Sequence, residues 1–261
     1  MQARVHAGLS FLTDDALFEE TGIRIAFTSR QGGVSTGCYE SLNLGSHVED
    51  DPEAVEENRR ILAHALGAAG VPLVVPNQVH GTQVVSVLSC DSAPEAQRLA
   101  SQGADALLVG ARSVAGLMCF ADCVPVVAAC NQGFALMHAG WRGAVAGVVG
   151  KTLGLMAQQI GADLSQTNVY IGPHIHASCF ETGEEVARQF KDAFGSSCLL
   201  DSRHVSLSEA VRIQAREAGV SNSRIVDAGI CTKCHPDEYF SYRASGGRCG
   251  RHGAAAVRMA R

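Results

Sequence analysis

The sequence predicts an α+β sandwich rather than a doubly wound parallel sheet. Short apolar runs bounded by turn residues are typical of buried strands, and they mix with helix-like segments without regular alternation. Hydrophobic residues make up 46% of the 261 residues and charged residues 18%, the balance of a globular chain that buries a substantial core. Since no repeat, low-complexity tract or linker divides the chain, we expect a single domain over residues 1–261.

Patterns along the chain predict its elements in order. Residues 23–28 form an apolar strand that is followed by a glycine-rich loop. A helix starts after Asp51 as N-cap with Pro52 at its first position, and it stops near Gly67. Further strands are expected at 71–75, 82–88, 105–109, 114–120, 168–171, 224–226 and 254–259, and further helices at 94–102, 143–160, 181–194 and 207–218.

Composition and charge exclude several classes of protein. The net charge of -5 gives no general attraction to nucleic acid or to an anionic membrane. The N-terminal segment lacks the pattern of a secretory signal, and no stretch reaches 18 uninterrupted apolar residues. Ten cysteines in such a chain are typical of reduced thiols. We therefore expect a cytoplasmic protein that binds neither nucleic acid nor membrane; its oligomeric state does not follow from the sequence.

The stretch Cys119–Gly143 organises the candidate site. It contains two apolar runs, read as buried strands; Cys123 precedes the first and His138 ends the second. A thiol and an imidazole at the ends of such strands can face one cleft. His80, in the loop between the strands predicted at 71–75 and 82–88, is a third candidate, because functional side chains often lie on such loops.

Two imidazoles and one thiolate form a familiar ligand set for catalytic zinc, with the fourth position left to water or substrate. Taken singly, however, each of these residues is better explained as structural, because free cysteine is among the most buried residue types. Asp122, beside Cys123, is a candidate to orient a ligand imidazole or to act as a general base. It is equally a turn acceptor. The residues alone leave these alternatives open.

Arginines in loops are candidates for binding an anion. Arg30 lies in a glycine-rich loop, although a plain turn is the simpler interpretation there. Arg142 follows His138 closely and stands near a helix start. Arg243 and Arg248 lie in a glycine- and arginine-rich tail, for which a solvated basic loop is the alternative.

Cysteine and histidine motifs elsewhere are less specific. Cys231, Cys234 and His235 match a c-type haem attachment pattern, which requires an exported protein. The two cysteines also match half of the sequence pattern of a structural zinc site, but the sequence contains no second Cys-x-x-Cys. We therefore predict a loop with reduced thiols. His174 and His176 form the only His-x-His pair, which argues against a multicopper oxidase architecture.

Taken together, the motifs resemble the YfiH-like laccase-domain family over nearly the whole chain, from about Ile23 to the end. Members of that family were once called polyphenol oxidases and are now described as purine nucleoside phosphorylases with adenosine deaminase activity. ADCVPV and HAGWRG are the most specific of the motifs. In chain order the motifs are SRQGGVS, SLNLG, NQVHG, ADCVPV, HAGWRG, IGPHI with CFE, and FSYR with GGRCGR.

The resemblance implies a four-layer α/β/β/α sandwich with mixed β-sheets. It implies that His80, Cys123 and His138 hold zinc, with copper as the alternative metal. The implied reaction is phosphorolysis of adenosine, inosine and S-methyl-5′-thioadenosine by inorganic phosphate. The products are the free base and ribose 1-phosphate or its methylthio form, and adenosine deamination accompanies the reaction.

On this interpretation the three metal ligands and Asp122 form the catalytic set. Binding of substrate and phosphate is assigned to Arg30, Asn43, Arg142, Arg243 and Arg248. The usual nucleobase deaminase signature is absent, so any deamination would use a different scaffold. Two other interpretations stay open: a cysteine hydrolase with Cys123 as nucleophile and His138 as base, and a non-catalytic module that binds metal or nucleoside.

Overall fold

The computed structural model describes residues 1–259, which form twelve strands and seven α-helices. The strands are β1 (Gln2–His6), β2 (Leu9–Thr13), β3 (Ile23–Thr28), β4 (Leu73–Val74), β5 (Val84–Val87), β6 (Ala106–Val109), β7 (Ala115–Phe120), β8 (Val124–Cys130), β9 (Gly133–Ala139), β10 (Asn168–Ile171), β11 (Ile225–Asp227) and β12 (His252–Arg258). The helices are α1 (Asp15–Thr21), α2 (Pro52–Leu66), α3 (Ala93–Ala100), α4 (Trp141–Val145), α5 (Val148–Ile160), α6 (Glu184–Phe194) and α7 (Leu207–Glu217).

The strands form two mixed six-stranded sheets. The first sheet has the order β1-β2-β3-β12-β7-β4, and the second has the order β11-β10-β8-β9-β6-β5. One pair in the first sheet, β4 with β7, is parallel. In the second sheet the parallel pairs are β5 with β6 and β10 with β11. The other pairs are antiparallel.

The alternation of side chains along the strands shows which layer lies on each face of a sheet. On β3, Ile25 and Phe27 point into a core shared by the two sheets, whereas Ala26 faces the opposite side, in a cluster with Leu62 and Leu66 of α2. The outer face of the second sheet packs against α5, α6 and α7 in a third core. The order helix, sheet, sheet, helices confirms the four-layer α/β/β/α sandwich.

Most of the predicted elements are present, and the differences have local causes. The helix expected over 143–160 is two helices, α4 and α5, because Gly147 between them adopts a left-handed conformation with φ of 82°. The first two strands and α1 were not predicted. The apolar alternation of β1 and β2 is only a few residues long, and they join the sheet because β1 pairs with β2 and β2 pairs with β3.

The hairpin of β8 and β9 positions the candidate site. In its antiparallel register Val124 is opposite Ala139, and Pro125 is opposite His138. The start of β8 and the end of β9 therefore meet at one edge of the second sheet, which brings Cys123 beside His138.

Among residues 1–259 no helix is long and apolar enough to cross a membrane.

Candidate active site

Three side chains that the sequence singled out converge at this edge of the second sheet. The ligand atoms of His80, Cys123 and His138 lie within 4.8 Å of one another. The two imidazole rings meet edge to face, with centroids 4.7 Å apart. His80 reaches the site from the loop between β4 and β5, where its backbone adopts a left-handed conformation with φ of 60°. The structure thus brings together a Cys-His-His set from three separate segments.

A buried carboxylate, Asp105, orients the imidazole of His138 and the loop that carries His80. Its side chain is fully buried, and Oδ1 lies 2.8 Å from Nδ1 of His138. The same carboxylate accepts the backbone N–H groups of Val79, His80 and Gly81 at 3.2, 2.9 and 2.6 Å. With Nδ1 of His138 occupied in this way, Nε2 is the ring nitrogen left for a metal. Asp105 therefore positions two ligands at once.

Asp105 is the residue that the sequence interpretation missed. It stood at the start of the strand predicted over 105–109, and it was treated as part of that strand. The signal was present, because an acid that directly precedes a fully buried run such as Ala106–Val109 requires a partner. Identifying the partner as His138 requires the antiparallel pairing of β6 with β9.

The backbone around the site leaves space for ligands. Gly140 follows β9 at the start of α4, and a Cβ atom there would lie 2.6 Å from Nδ1 of His80 and 3.2 Å from Sγ of Cys123. Only glycine fits so close an approach. The side chain of Gln78 both donates to the carbonyl and accepts the N–H of Cys119, each at 2.8 Å, which anchors the loop that carries His80.

Electrostatics couple the thiol to the imidazole. Burial raises the pKa of the Cys123 thiol, but the charge and hydrogen bond of His138 and a hydrogen bond with His80 outweigh it and lower the pKa to about 6. Burial lowers the pKa of His138, while the Cys123 thiolate and the hydrogen-bonded Asp105 raise it to about 9. Without a metal, Cys123 and His138 are therefore a thiolate–imidazolium pair near neutral pH.

The residues present fit a metal ion of borderline softness. One thiolate and two imidazoles suit zinc or copper rather than magnesium or calcium. Asp105 supplies the carboxylate partner that a metal-ligating histidine usually has. The close approach at Gly140 leaves the ligand atoms of His80 and Cys123 unobstructed.

The three candidate metal ligands border a cavity of about 440 Å³, a volume typical of small-molecule sites. The cavity wall combines aromatic, aliphatic and basic groups. Trp141, Phe180 and Tyr242 supply the rings. The basic groups besides the metal ligands are His47, Arg243 and Arg251. A ligand with both an apolar plane and a negative charge matches this lining.

Asp122 lines the cavity and also fastens the loops around it. Its backbone is left-handed, with φ of 87°. Oδ1 accepts the hydroxyl of Thr232 and Oδ2 accepts the backbone N–H of Arg243, each at 2.7 Å. Its carbonyl accepts the N–H of Ile175 at 2.9 Å. Each carboxylate oxygen keeps further acceptor capacity toward a ligand.

Of the anion candidates from the sequence, the structure brings Arg243 to the cavity. Its guanidinium donates to the carbonyl of Glu181 at 3.1 Å and lies over the ring of Phe180, 5.4 Å from the centroid. Arg251 also lines the cavity, and the sequence interpretation missed it although it lies in the same arginine-rich motif. Its guanidinium donates to the carbonyl of Cys249 at 2.7 Å.

Two other candidates are engaged in holding loops. Arg30 donates to the carbonyls of Glu40 and Pro236 at 2.7 and 2.8 Å, which clamps two loops away from the cavity. Asn43 is fully buried, and its side-chain oxygen accepts the N–H of Arg251 at 2.8 Å. Neither side chain lines the cavity.

The remaining two candidates point to solvent. Arg142 is exposed and stacks on the ring of Trp141, with the guanidinium 4.2 Å from the centroid. Arg248 is exposed and lies 3.8 Å from the carboxylate of Glu49. Trp141, not Arg142, faces the cavity, because successive residues of a helix turn point in different directions.

The chain is similar to several known proteins over most of its length. Purine nucleoside phosphorylase YlmD from Geobacillus stearothermophilus is 35% identical over 241 residues, which covers 88% of each chain. An adenosine deaminase named RL5, from an unknown prokaryotic organism, is 33% identical over 242 residues, covering 87% of this chain and 90% of its own.

Solved structures and a family model extend this similarity. The crystal structure of YlmD from Geobacillus stearothermophilus superposes with a TM-score of 0.83 at 32% identity and covers 92% of this chain and 93% of its own. The Bacillus licheniformis hypothetical protein YfiH superposes with a TM-score of 0.84 at 25% identity, with the same coverage. Residues 24–259 match the family model described as multi-copper polyphenol oxidoreductase laccase. The chain belongs to that family.

Proposed function

We propose that this protein is a zinc-dependent purine nucleoside phosphorylase with an accompanying adenosine deaminase activity. Its substrates on this proposal are adenosine, inosine and S-methyl-5′-thioadenosine, with inorganic phosphate as the second substrate. The observation that carries the proposal is the His80–Cys123–His138 set at the edge of a cavity that also holds arginines and aromatic rings. The names of the relatives, phosphorylase and deaminase, support it.

His80, Cys123 and His138 would hold the electrophilic metal ion of the proposed site. When bound, zinc provides Lewis acidity toward a phosphate or ribose oxygen. Asp105 holds His138 in the tautomer that leaves Nε2 free, and it fixes the backbone of His80. We propose the cytoplasm as the compartment, because there the Cys123 thiol stays reduced.

The arginines that line the cavity are our candidates for binding phosphate. In phosphorolysis a phosphate oxygen attacks C1′ of the ribose, the C1′–N9 bond breaks, and its electron pair leaves with the purine. Arg243 and Arg251 carry the positive charge that attracts and orients a dianion in the cavity. Because the guanidinium of Arg243 is held by the carbonyl of Glu181, it is already oriented before phosphate arrives.

The aromatic side chains of the cavity are our candidates for binding the purine. Phe180 and Tyr242 line the same cavity as Arg243, so a purine stacked on a ring would have its ribose within reach of the phosphate site. Asp122, which also lines the cavity, is our candidate for moving a proton at the purine during deamination. Its hydrogen bonds with Thr232 and with the backbone of Arg243 hold its carboxylate in place.

A second candidate function is favoured by one observation. The pKa of Cys123 is lowered to about 6 by its contacts with His138, although burial opposes this, and such a thiolate is a competent nucleophile. A cysteine hydrolase would use that pair without a metal. A module that binds metal or nucleoside without turnover is the remaining alternative.

The decisive experiment is chromatography of adenosine and inosine after incubation with zinc-loaded protein, with and without phosphate. We expect phosphate-dependent release of adenine and hypoxanthine together with ribose 1-phosphate. Cys123→Ala should lower this rate at least 100-fold, because it removes a metal ligand. The matched control is Cys90→Ser, an exposed thiol that lines none of the cavity, and it should leave the rate unchanged.

Three outcomes would contradict the proposal. Full phosphorolysis by Cys123→Ala would exclude a role for a metal held by Cys123 in the cavity. Covalent labelling of Cys123 by an acyl substrate in metal-free protein, with no base release, would favour the hydrolase. Tight nucleoside binding with no product in zinc-loaded protein would identify a binding module.

A further inference from the structure

A second group of thiols lies outside the metal ligands of the cavity. The sulphur atoms of Cys179, Cys231 and Cys234 lie within 4.8 Å of one another, and all three are free thiols. Sγ of Cys179 is 3.5 Å from Sγ of Cys234. The Cys-x-x-Cys pair that lacked a second half in the sequence thus acquires a third ligand from the loop that follows β10.

The spacing of the sulphur atoms fits a common ion. Thiolates on a tetrahedral zinc, with Zn–S bonds of about 2.3 Å, stand about 3.8 Å apart. The 3.5 Å between Cys179 and Cys234 is close to that value, and it is far longer than the ~2.05 Å of a disulfide. The backbone N–H of His176 also points at Sγ of Cys231 at 3.4 Å, a contact that favours the thiolate.

We propose that Cys179, Cys231 and Cys234 form a second metal site that binds one zinc ion as three thiolates. Cys234 is exposed, so the fourth position faces solvent. Binding releases the thiol protons to solvent and exchanges no electrons. Three thiolates select soft or borderline ions such as zinc over magnesium or calcium.

The position of this site gives it a structural role in the cavity. Thr232 lies inside the Cys-x-x-Cys turn, is fully buried, and donates its hydroxyl to Asp122. Phe180, which lines the cavity, directly follows Cys179. A metal on the three thiolates therefore ties together two loops that meet the wall of the cavity. It is a positioning element, not part of the reacting groups.

The test uses Cys123→Ala protein, in which the cavity site has lost its thiolate. With all thiols kept reduced, we expect about one tightly bound zinc per chain in this variant by elemental analysis. We expect none in Cys123→Ala/Cys234→Ser. Titration with cobalt should give sulphur-to-cobalt charge-transfer absorption in Cys123→Ala, and Cys123→Ala/Cys234→Ser should lack it. Zinc should raise the Tm of the first variant and not of the second.

Matched variants keep the test sharp. Cys123→Ala/Cys90→Ser, which changes an exposed cysteine outside the cluster, should bind zinc like Cys123→Ala. If Cys234→Ser fails to fold, as judged by circular dichroism, Cys179→Ser provides the same test. Absence of zinc and of the cobalt band in folded, reduced Cys123→Ala would overturn the proposal. So would a Cys179–Cys234 disulfide in protein purified under reducing conditions. These readouts do not depend on nucleoside turnover, so they stand or fall separately from the proposed function.

Discussion

At the scale of single residues, Asp105 and the Cys123–His138 pair set the properties of the proposed metal site. Asp105 is fully buried and receives three backbone N–H groups besides the imidazole of His138. These contacts, with the charge of His138, lower the pKa of Asp105 although burial opposes them, so the carboxylate is ionised at neutral pH. A single carboxylate thus fixes one metal ligand by its side chain and another by its backbone.

Asp105→Asn should weaken zinc binding 10- to 100-fold, by about the usual effect of losing such a partner. The amide has the same shape, but it is neutral and turns an N–H group toward backbone N–H donors. Competition with a chelating dye measures the affinity. Asp163→Asn is the matched control, because this exposed aspartate also accepts a backbone N–H, from Ser165, away from the site. Equal affinities for both variants would contradict the role given to Asp105.

Metal binding should release protons in a predictable way. With a pKa of about 9 for His138 and about 6 for Cys123, the metal-free pair holds its proton on His138 between these values. Zinc must displace that proton, so its affinity should weaken about tenfold for each unit of pH decrease from 9 to 7. Calorimetry at pH 8 in buffers of different ionisation enthalpy should register about one released proton in Cys234→Ser protein, in which the second group of thiols is broken up.

A variant tests whether Cys123 is the group that raises the pKa of His138. Cys123→Ser removes the thiolate that raises the pKa of His138, so in metal-free protein the pKa of His138, followed by NMR, should be lower than in the parent. A pKa of His138 that is unchanged by Cys123→Ser would show that another group holds the proton on the imidazole.

At the scale of elements, the β8–β9 hairpin and its junction with α4 form the site. The hairpin register brings Cys123 next to His138, and the chain then turns at Gly140 into α4. Gly140 is extended, with φ of -70° and ψ of 164°, so the backbone conformation itself does not require glycine there. What requires glycine is the close approach of His80 and Cys123.

Gly140→Ala should reduce zinc affinity at least tenfold while the protein stays folded. The added Cβ would lie 2.6 Å from Nδ1 of His80, so that ligand must move. Gly154→Ala is the control, because it lies exposed within α5 with nothing within 4 Å of the added Cβ. It should keep zinc binding and stabilise the protein by about 0.5–1 kcal/mol. Chelator competition and urea unfolding measure the two effects.

At the scale of the whole molecule, burial between layers shapes the response to acid. His252 begins β12 in the first sheet, is 1% exposed, and lies near the rings of Phe120 and Tyr239. Burial is the main cause that lowers the pKa of His252 to about 3. His174 is also buried, and its pKa is lowered by burial too.

Stability should therefore fall as the pH drops below the unfolded pKa of about 6.5. The folded pKa of His252 is lower than the unfolded one, so the unfolded chain binds an extra proton throughout the window from 6.5 to about 3. Between pH 7 and pH 5 the contribution of His252 is about 2 kcal/mol. Urea unfolding at both pH values measures it, in Cys123→Ala protein treated with chelator so that metal release does not contribute.

His252→Gln should remove about 2 kcal/mol of that pH dependence and leave a residual slope from His47 and His174, whose pKa values burial also lowers. His64→Gln, which changes an exposed histidine of α2, is the control and should follow the parent protein. The prediction is wrong if both variants lose stability between pH 7 and pH 5 to the same extent as the parent.

Local patterns were sufficient for much of the fold and for part of the site. Apolar runs predicted most of the strands, and the Asp51–Pro52 start with a stop at Gly67 predicted α2 closely. His80, Cys123 and His138 were identified because each stands beside a buried strand or in a loop between strands. Such signals are carried by neighbouring residues, so they can be read without knowing the tertiary structure.

Other features were decided only by the tertiary structure. The partnership of Asp105 with His138, the place of Arg251 in the cavity and the union of Cys179 with the Cys-x-x-Cys turn all join segments distant along the chain. Likewise Arg30 is directed away from the cavity by carbonyls of a remote loop. The sequence by itself determined most of the strands and helices, and it singled out candidate residues for the chemistry. Only strand register and loop closure decided which of those residues meet, because both depend on pairing between distant segments.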